Sequence, residues 1–355
     1  MRKSIFIALA AGAVVLAGCA KIETTEVPEG RVISFDNYVS NAVKSIDTEE
    51  DLTDFYVFGK ANNGSDVIFD NVLVKKNGEN WETEVTRYWN EIKTDYKFAA
   101  YSNDNAKIDG ASLEYADGAL MIQNYNQANA DDAKKDLIIG LTDKVTYSGA
   151  DYTDGTLSGP VQLSFYHALS CVKFVFTKDA TLNGVDLTLS NVSFTACSTA
   201  TLDVPQSQQT RGESQLSSTV WTGHTTPAVS YSCDSLNASV ITGSTTDNTV
   251  TPQEETFFLI PQYNNGADHD LQMTFTLTWP TDALYGEGTG NNTEFKTYTV
   301  DLKSNTSEWR PGYRYIYTAT INAENLDLVP IEFDVQEIQG WNDPEDNSGD
   351  ITVQN

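Results

Sequence analysis

Few residues in this chain are arranged for chemistry, and the clearest is a thiol. Cys19 follows Leu16-Ala17-Gly18, after the basic pair Arg2-Lys3 and the apolar run Ile5–Leu16. Small residues just before it suit a cleavage site. A thiolate is the strongest nucleophile among the side chains. The layout is that of a secretory signal, and the run is too short to span a bilayer, which takes about 20 apolar residues.

Other candidates carry less. Of the three histidines, His167 lies in an apolar, strand-like context and reads as structural, while His224 and His269 sit in polar loops without motif partners. Neither a G-x-S-x-G elbow nor an H-E-x-x-H pair occurs. Gly286–Gly290 has G-x-G-x-G spacing but precedes a strand, whereas phosphate binding needs a helix N-terminus, so it reads as a hairpin loop. Ser102–Asn105 and Asp151–Gly155 offer oxygens without EF-hand spacing and read as solvated loops. Cys171, Cys197 and Cys233 are an odd set. They allow one bridge, or buried free thiols. Tyr88-Trp89, Trp221 and Trp279 could stack on sugars, although core packing is the usual fate of such rings. The expectation is a non-enzymatic protein with no cofactor and no metal.

The net charge of -28 over 355 residues repels phosphate backbones and anionic headgroups, which argues against nucleic acid. The acids are spread along the chain and read as a solubilising surface.

The elements that must carry these residues are short strands. Arg31–Val39 alternates, with Ile33, Phe35 and Val39 on one face. Leu52–Gly59 is bulky on both faces. Val67–Val74 and Trp81–Val85 flank Asn77-Gly78, a hairpin signal. Tyr96–Tyr101, Ala119–Gln123 and Asp136–Leu141 follow, with a short helix expected at Asn126–Lys135. Val161–Phe176 carries two strand-like runs around His167-Ala168-Leu169, and Asp186–Phe194 alternates well. Ser198–Asn248 reads as loops and short edge strands. Glu255–Ile260, Leu271–Trp279, Phe295–Leu302, Trp309–Ile321, Ile331–Ile338 and Asp350–Val353 complete the series. About fourteen to sixteen strands with turns every ten or so residues imply β-sandwiches. A Gly/Asp/Ser-rich stretch ending at Pro160 suggests a boundary, giving units 31–159 and 160–355.

Two resemblances organise these readings. Residues 1–19 resemble a bacterial lipoprotein signal, which implies cleavage after Gly18, acylation (palmitate) of Cys19 and a tether over 19–30. Ala20, not aspartate, follows the cysteine, and this implies delivery to the outer membrane. The runs L-x-x-F-x-V-x-G (52–59), Y-x-F-x-A-Y (96–101), F-x-H-A-L-S-x-V-x-F (165–176), L-I-P-Q (259–262), W-x-P-G-Y-x-Y-x-Y (309–317) and the stretch 335–341 are similar, in order, to the fimbrillin family of Bacteroidetes, subunits of type V pili.

That resemblance implies an all-β fold of two transthyretin-like β-sandwich domains in tandem. It implies a fimbrial subunit in cell adhesion, with other subunits as partners. It further implies that a trypsin-like protease removes the first strand and that a neighbour's strand fills the groove. The strand to leave is Arg31–Val39, and the basic residue past it is Lys44, where the family pattern has arginine. Arg31 is the other basic site, but a cut there keeps the strand. The donor would be the terminal run with Ile351 and Val353, or that run frays as termini commonly do. The alternatives are an unprocessed anchor or accessory subunit and an outer-membrane glycan-binding lipoprotein.

Overall fold

The computed structural model describes residues 31–39, 52–116, 118–142, 146–155, 158–205, 216–225, 228–246, 248–263, 271–281, 293–303, 308–327 and 329–339. Cys19, Lys44, His269, Gly286–Gly290, Ile351 and Val353 lie outside them. Side chains of Asn37–Val39 are also outside the description.

The first core is built on a rolled sheet of seven strands. Its order is β1 (Phe35–Val39), β9 (Val161–His167), β8 (Leu137–Thr142), β5 (Lys97–Asn103), β2 (Asp54–Ala61), β3 (Asp66–Asn77) and β4 (Asn80–Thr83). On one face Phe58, Tyr101 and Ile139 meet Leu120, Ile122 and Leu202 from a second sheet. That sheet runs β13 (Trp221–Thr222), β12 (Thr199–Val204), β7 (Ala119–Asn126) and β6 (Ser112–Ala116). On the other face Phe55, Val57, Phe98 and Phe165 meet Trp89, Tyr147 and Tyr152 from connecting segments. A sheet covered on both faces loses polar alternation, which is why Leu52–Gly59 is bulky throughout.

A second core lies between two further sheets. One is β16 (Gln253–Leu259), β10 (Ser170–Lys178), β19 (Tyr313–Ile321) and β20 (Asp334–Gln339). The other is β14 (Val229–Ser232), β11 (Leu187–Ala196), β17 (Gln272–Pro280) and β18 (Thr293–Asp301), with β15 (Val240–Ile241) also on β11. Here alternation is clean. In β11, Leu187, Leu189, Val192 and Phe194 are buried and their neighbours partly exposed or exposed. The architecture is all-β, with sandwich-type packing of sheets. The sequence boundary at 159/160 falls just before β9, which pairs with β8, while β12 pairs with β7.

The motif residues turn out to be couplings between these layers. His167-Ala168-Leu169-Ser170 carries the chain from β9 in the first core to β10 in the second. Trp221 donates to Ala168 O at 2.6 Å, Gly312 N to Leu169 O at 2.8 Å, and Ser170 Oγ to Arg310 O at 2.8 Å. Trp309 Nε1 donates to Tyr317 OH at 2.8 Å, and Arg310 N to Tyr315 OH at 2.9 Å. Gln262, the last residue of L-I-P-Q, accepts Cys197 N at 2.8 Å and donates to Ile260 O at 2.9 Å.

Two local expectations need correction. The hairpin exists, but Asn77 pairs with Asn80, so its loop is Gly78-Glu79. Among Asn77–Asn80 only Gly78 takes a positive φ, +65°, the type II′ arrangement with glycine first. No ten-residue helix forms at Asn126–Lys135, only a 3-10 turn at Asp132–Lys134. A lone helix of that length is marginal, and tertiary partners take its backbone. Gln127 N donates to Ser198 O at 2.8 Å, and Tyr231 OH to Gln127 O at 2.7 Å. Single-turn helices occur instead at α1 (Gly149–Thr153) and α2 (Ala323–Asp327). Gly149 sits so close to the 90–93 segment that a Cβ there would lie 1.8 Å from Asn90 O, so only glycine fits.

Buried phenols and thiols make the fold sensitive to alkali. Desolvation raises the pKa of Tyr101, Tyr115, Tyr125, Tyr231 and Tyr315, and that of Tyr298 to about 12. It also raises the thiol of Cys233, and that of Cys171 to about 11. Each group is favoured in its protonated form by folding. Its stabilisation is therefore complete below the unfolded pKa, about 8.5 for Cys and 10 for Tyr, and is lost as pH rises through the folded value. Each contributes a slope of up to about 1.4 kcal/mol per pH unit in that window. Urea midpoints are expected to fall steeply from pH 9 upward, with tyrosinate absorbance from these residues appearing only as the protein unfolds. Ionisation of all phenols near pH 10 in folded protein would show the burial to be wrong.

Candidate assembly site at the first strand

The segment 31–39 closes the rolled sheet on itself. At its start it pairs antiparallel with the segment 87–89: Ile33 N donates to Arg87 O at 2.8 Å and Trp89 N to Arg31 O at 3.0 Å. From Phe35 on it runs parallel to β9, in register Phe35 to Val161 through Val39 to Phe165. Parallel pairing is slightly weaker per residue than antiparallel, and the described strand is only five residues long.

Side chains do the remaining work. Ile33 is fully buried and Phe35 is 3% exposed. The Phe35 ring meets Phe69, Phe98 and Phe55 edge-on, with centroids 5.4, 5.5 and 6.4 Å away. Below them Tyr152 stacks flat on Trp89 at 4.0 Å. Burial of Ile33 and Phe35 contributes about 1.5–3 kcal/mol each. The strand therefore plugs an aromatic groove with two anchors spaced i, i+2, while Val32, just before the first of them, faces solvent at 47% exposure. Arg31 lies exposed at the entry, upstream of both anchors.

Residues considered for chemistry are placed elsewhere. His167 Nδ1 lies 2.8 Å from Asp136 Oδ2, both side chains under 5% exposed. This enclosed hydrogen-bonded pair joins β9 to the start of β8. His224 Nε2 is 2.7 Å from Pro261 O. Asn105 Oδ1 accepts Thr53 N and Asp54 N, Asn103 Oδ1 accepts Tyr125 OH, and Ser102 Oγ donates to Asp54 O. Those oxygens are used inside the fold, and no group of His, Cys, Asp and Glu among the described residues has a metal-ligating arrangement. Cys171, Cys197 and Cys233 are buried free thiols. Trp89, Trp221 and Trp279 are buried in the cores, so they offer sugars no platform. Among the described residues no helix is long and apolar enough to cross a membrane. Sequence reasoning placed Ile33 and Phe35 on the buried face. It missed the 87–89 partner, whose local signal was only the aromatic pair Tyr88-Trp89.

The all-β architecture that follows the first strand matches a known class. The fimbrillin-like family model matches residues 40–341. The chain belongs to the fimbrillin-like family, whose proteins are fimbrial and cell-adhesion proteins. A fimbrial protein of Bacteroides vulgatus aligns over 88% of this chain and 100% of its own, with 17% identity and TM-score 0.59, a likeness of fold. A cell adhesion protein of Bacteroides ovatus (13% identity, 88% and 98% coverage, TM-score 0.47) and the fimbrial anchor protein Mfa2 of Porphyromonas gingivalis (9%, 88% and 100%, 0.34) align more loosely. No curated protein matches.

Proposed function

We propose that this chain is a non-enzymatic, surface-exposed fimbrial subunit. It is exported on residues 1–18, acylated at Cys19 and delivered to the outer membrane on the 19–30 tether. It assembles when the segment 31–39 leaves and an extended strand of a neighbouring subunit takes its place. The observation that carries this is the plug itself: a short parallel strand with two anchors in a preformed aromatic groove. Main-chain pairing with β9 gives a replacement strand affinity, and the Ile33 and Phe35 positions give it specificity. The terminal run with Ile351 and Val353 has the same i, i+2 spacing and is the proposed donor. The two-unit organisation, 31–159 and 160–355, belongs to the same proposal, with β9 and β12 of the second stretch pairing with β8 and β7 of the first.

One observation favours a second reading. Lys44 stands where the family pattern has arginine, and an arginine-directed protease discriminates against lysine. An uncut chain would be an anchor or accessory subunit held by its lipid. Mass spectrometry of protein taken from cells separates the two. A new N-terminus at Ser45 in high-mass material is expected for the polymer. Acyl-Cys19 joined to the first strand, in monomer alone, would overturn the polymer and leave the anchor.

A further inference from the structure

The second core leaves one sheet face in solvent, and its composition departs from that of the chain. Charged residues make up 20% of the sequence and the net charge is -28. On β17, Met273, Phe275, Leu277 and Trp279 point into the core, so Thr274, Thr276 and Thr278 share the outer face. Thr274 stands between Ser193 and Thr299, and Thr276 between Ser190 and Thr297. Oγ atoms of Thr274 and Thr299 are 3.2 Å apart, and those of Thr276 and Thr297 2.9 Å. The next rank is Thr188, Thr278 and Phe295, the last 75% exposed. A register shift between Ser190 and Ser193 opens a shallow depression lined by those serines, Ser232 and Asn237. Among the described residues, alternation along these strands puts one charge on the face, Asp301 at a corner, 3.5 Å from Lys303.

We propose that this face, β14-β11-β17-β18, binds a neutral polysaccharide. A centre without charge departs from a chain that is one-fifth charged, and depletion of charge is a mark of the covered part of an interface. Each hydroxyl both donates and accepts, so a tile of them matches a partner with the same double valence, which sugar hydroxyls have. The exposed Phe295 ring gives a sugar's C–H face somewhere to stack, its π face being electron-rich. Anionic polymers and a second copy of this chain are disfavoured by the net charge. A cationic partner would need more acid than Asp301 at the corner and Asp234 beside the depression, where Ser232 Oγ donates to it at 2.6 Å. The inference stands apart from strand exchange, because the face lies in the second core, away from the first strand.

The test is depletion of the full chain from solution by cellulose, chitin or starch granules, with carboxymethyl-cellulose as the charged counterpart. Retention on at least one neutral polymer and not on the charged one is expected. Phe295→Ala and Thr297→Asp change exposed side chains, so both should keep the circular dichroism and Tm of the parent. Each is expected to weaken retention at least tenfold. Three results would overturn the proposal: no retention on any neutral polymer, equal retention by both variants, or sedimentation showing a dimer that Thr297→Asp dissociates.

Discussion

Phe35→Ala is expected to lower folding stability by about 3–5 kcal/mol, the range for removing a buried phenyl from a core that cannot collapse around the gap. The gap would be held open from three sides. Phe69 and Phe98 are fixed on β3 and β5, and Phe55 on β2, each 2% exposed or less. Urea unfolding followed by tryptophan fluorescence should show a lower midpoint at unchanged slope, the mark of lost stability without a change in exposed area. Val32→Ala, three residues upstream on the opposite face and 47% exposed, should stay within about 0.5 kcal/mol of the parent, as surface substitutions do. A loss under 1 kcal/mol for Phe35→Ala would mean that the ring does not fill the groove. The functional counterpart follows from the same contact. If a neighbour's strand replaces this one, weakening the plug should speed replacement, so Phe35→Ala should form high-mass polymer faster than the parent after cleavage.

Much of this region was legible because its signals are local. Ile33 and Phe35 alternate with polar neighbours, and β9 and β10 are runs of apolar residues broken at His167-Ala168-Leu169. What could not be read was which strand pairs with which. Phe35 meets Val161 across more than a hundred residues, and nothing in either stretch encodes a parallel partner. Likewise β12 lies in a Ser/Thr-rich tract that looks like loop, yet Ala200, Leu202 and Val204 complete the first core. The turn lies one residue later than Asn77-Gly78 because glycine is favoured second in a type I′ loop and first in a type II′ loop, so the dipeptide alone does not say where the strands stop pairing. Asn126–Lys135 failed for another reason: polar residues that look harmless in a helix were instead making tertiary hydrogen bonds.

Gln127 is the clearest of these, and its replacement should have the second large effect. Its side chain is fully buried and acts as a short piece of strand against the outer edge of β16. Nε2 donates to Phe258 O at 2.6 Å, and Oε1 accepts Ile260 N at 3.2 Å. Lys134 continues the same edge, donating to Thr256 O at 2.7 Å and to Glu255 Oε1 at 2.8 Å. Together they cap an edge that would otherwise present unpaired groups and join the segment after β7 to the second core. Gln127→Ala removes both hydrogen bonds from buried main-chain groups, at about 1–3 kcal/mol each, so a loss of about 4 kcal/mol is expected. Gln127→Glu is the sharper probe, because it keeps the shape. At neutral pH the new carboxylate faces Phe258 O with no proton to give, and the variant should be at least as unstable as Gln127→Ala. Once protonated, the group can donate to Phe258 O and still accept Ile260 N. Folding then favours the acid form, so its pKa in the folded state lies above the unfolded value of about 4.3. Stability should therefore be regained as pH falls through the folded value toward 4, relative to the parent under the same conditions. Equal deficits at pH 4 and pH 7 would show that the hydrogen bonds of Gln127, as distinct from its bulk, do not hold the edge of β16.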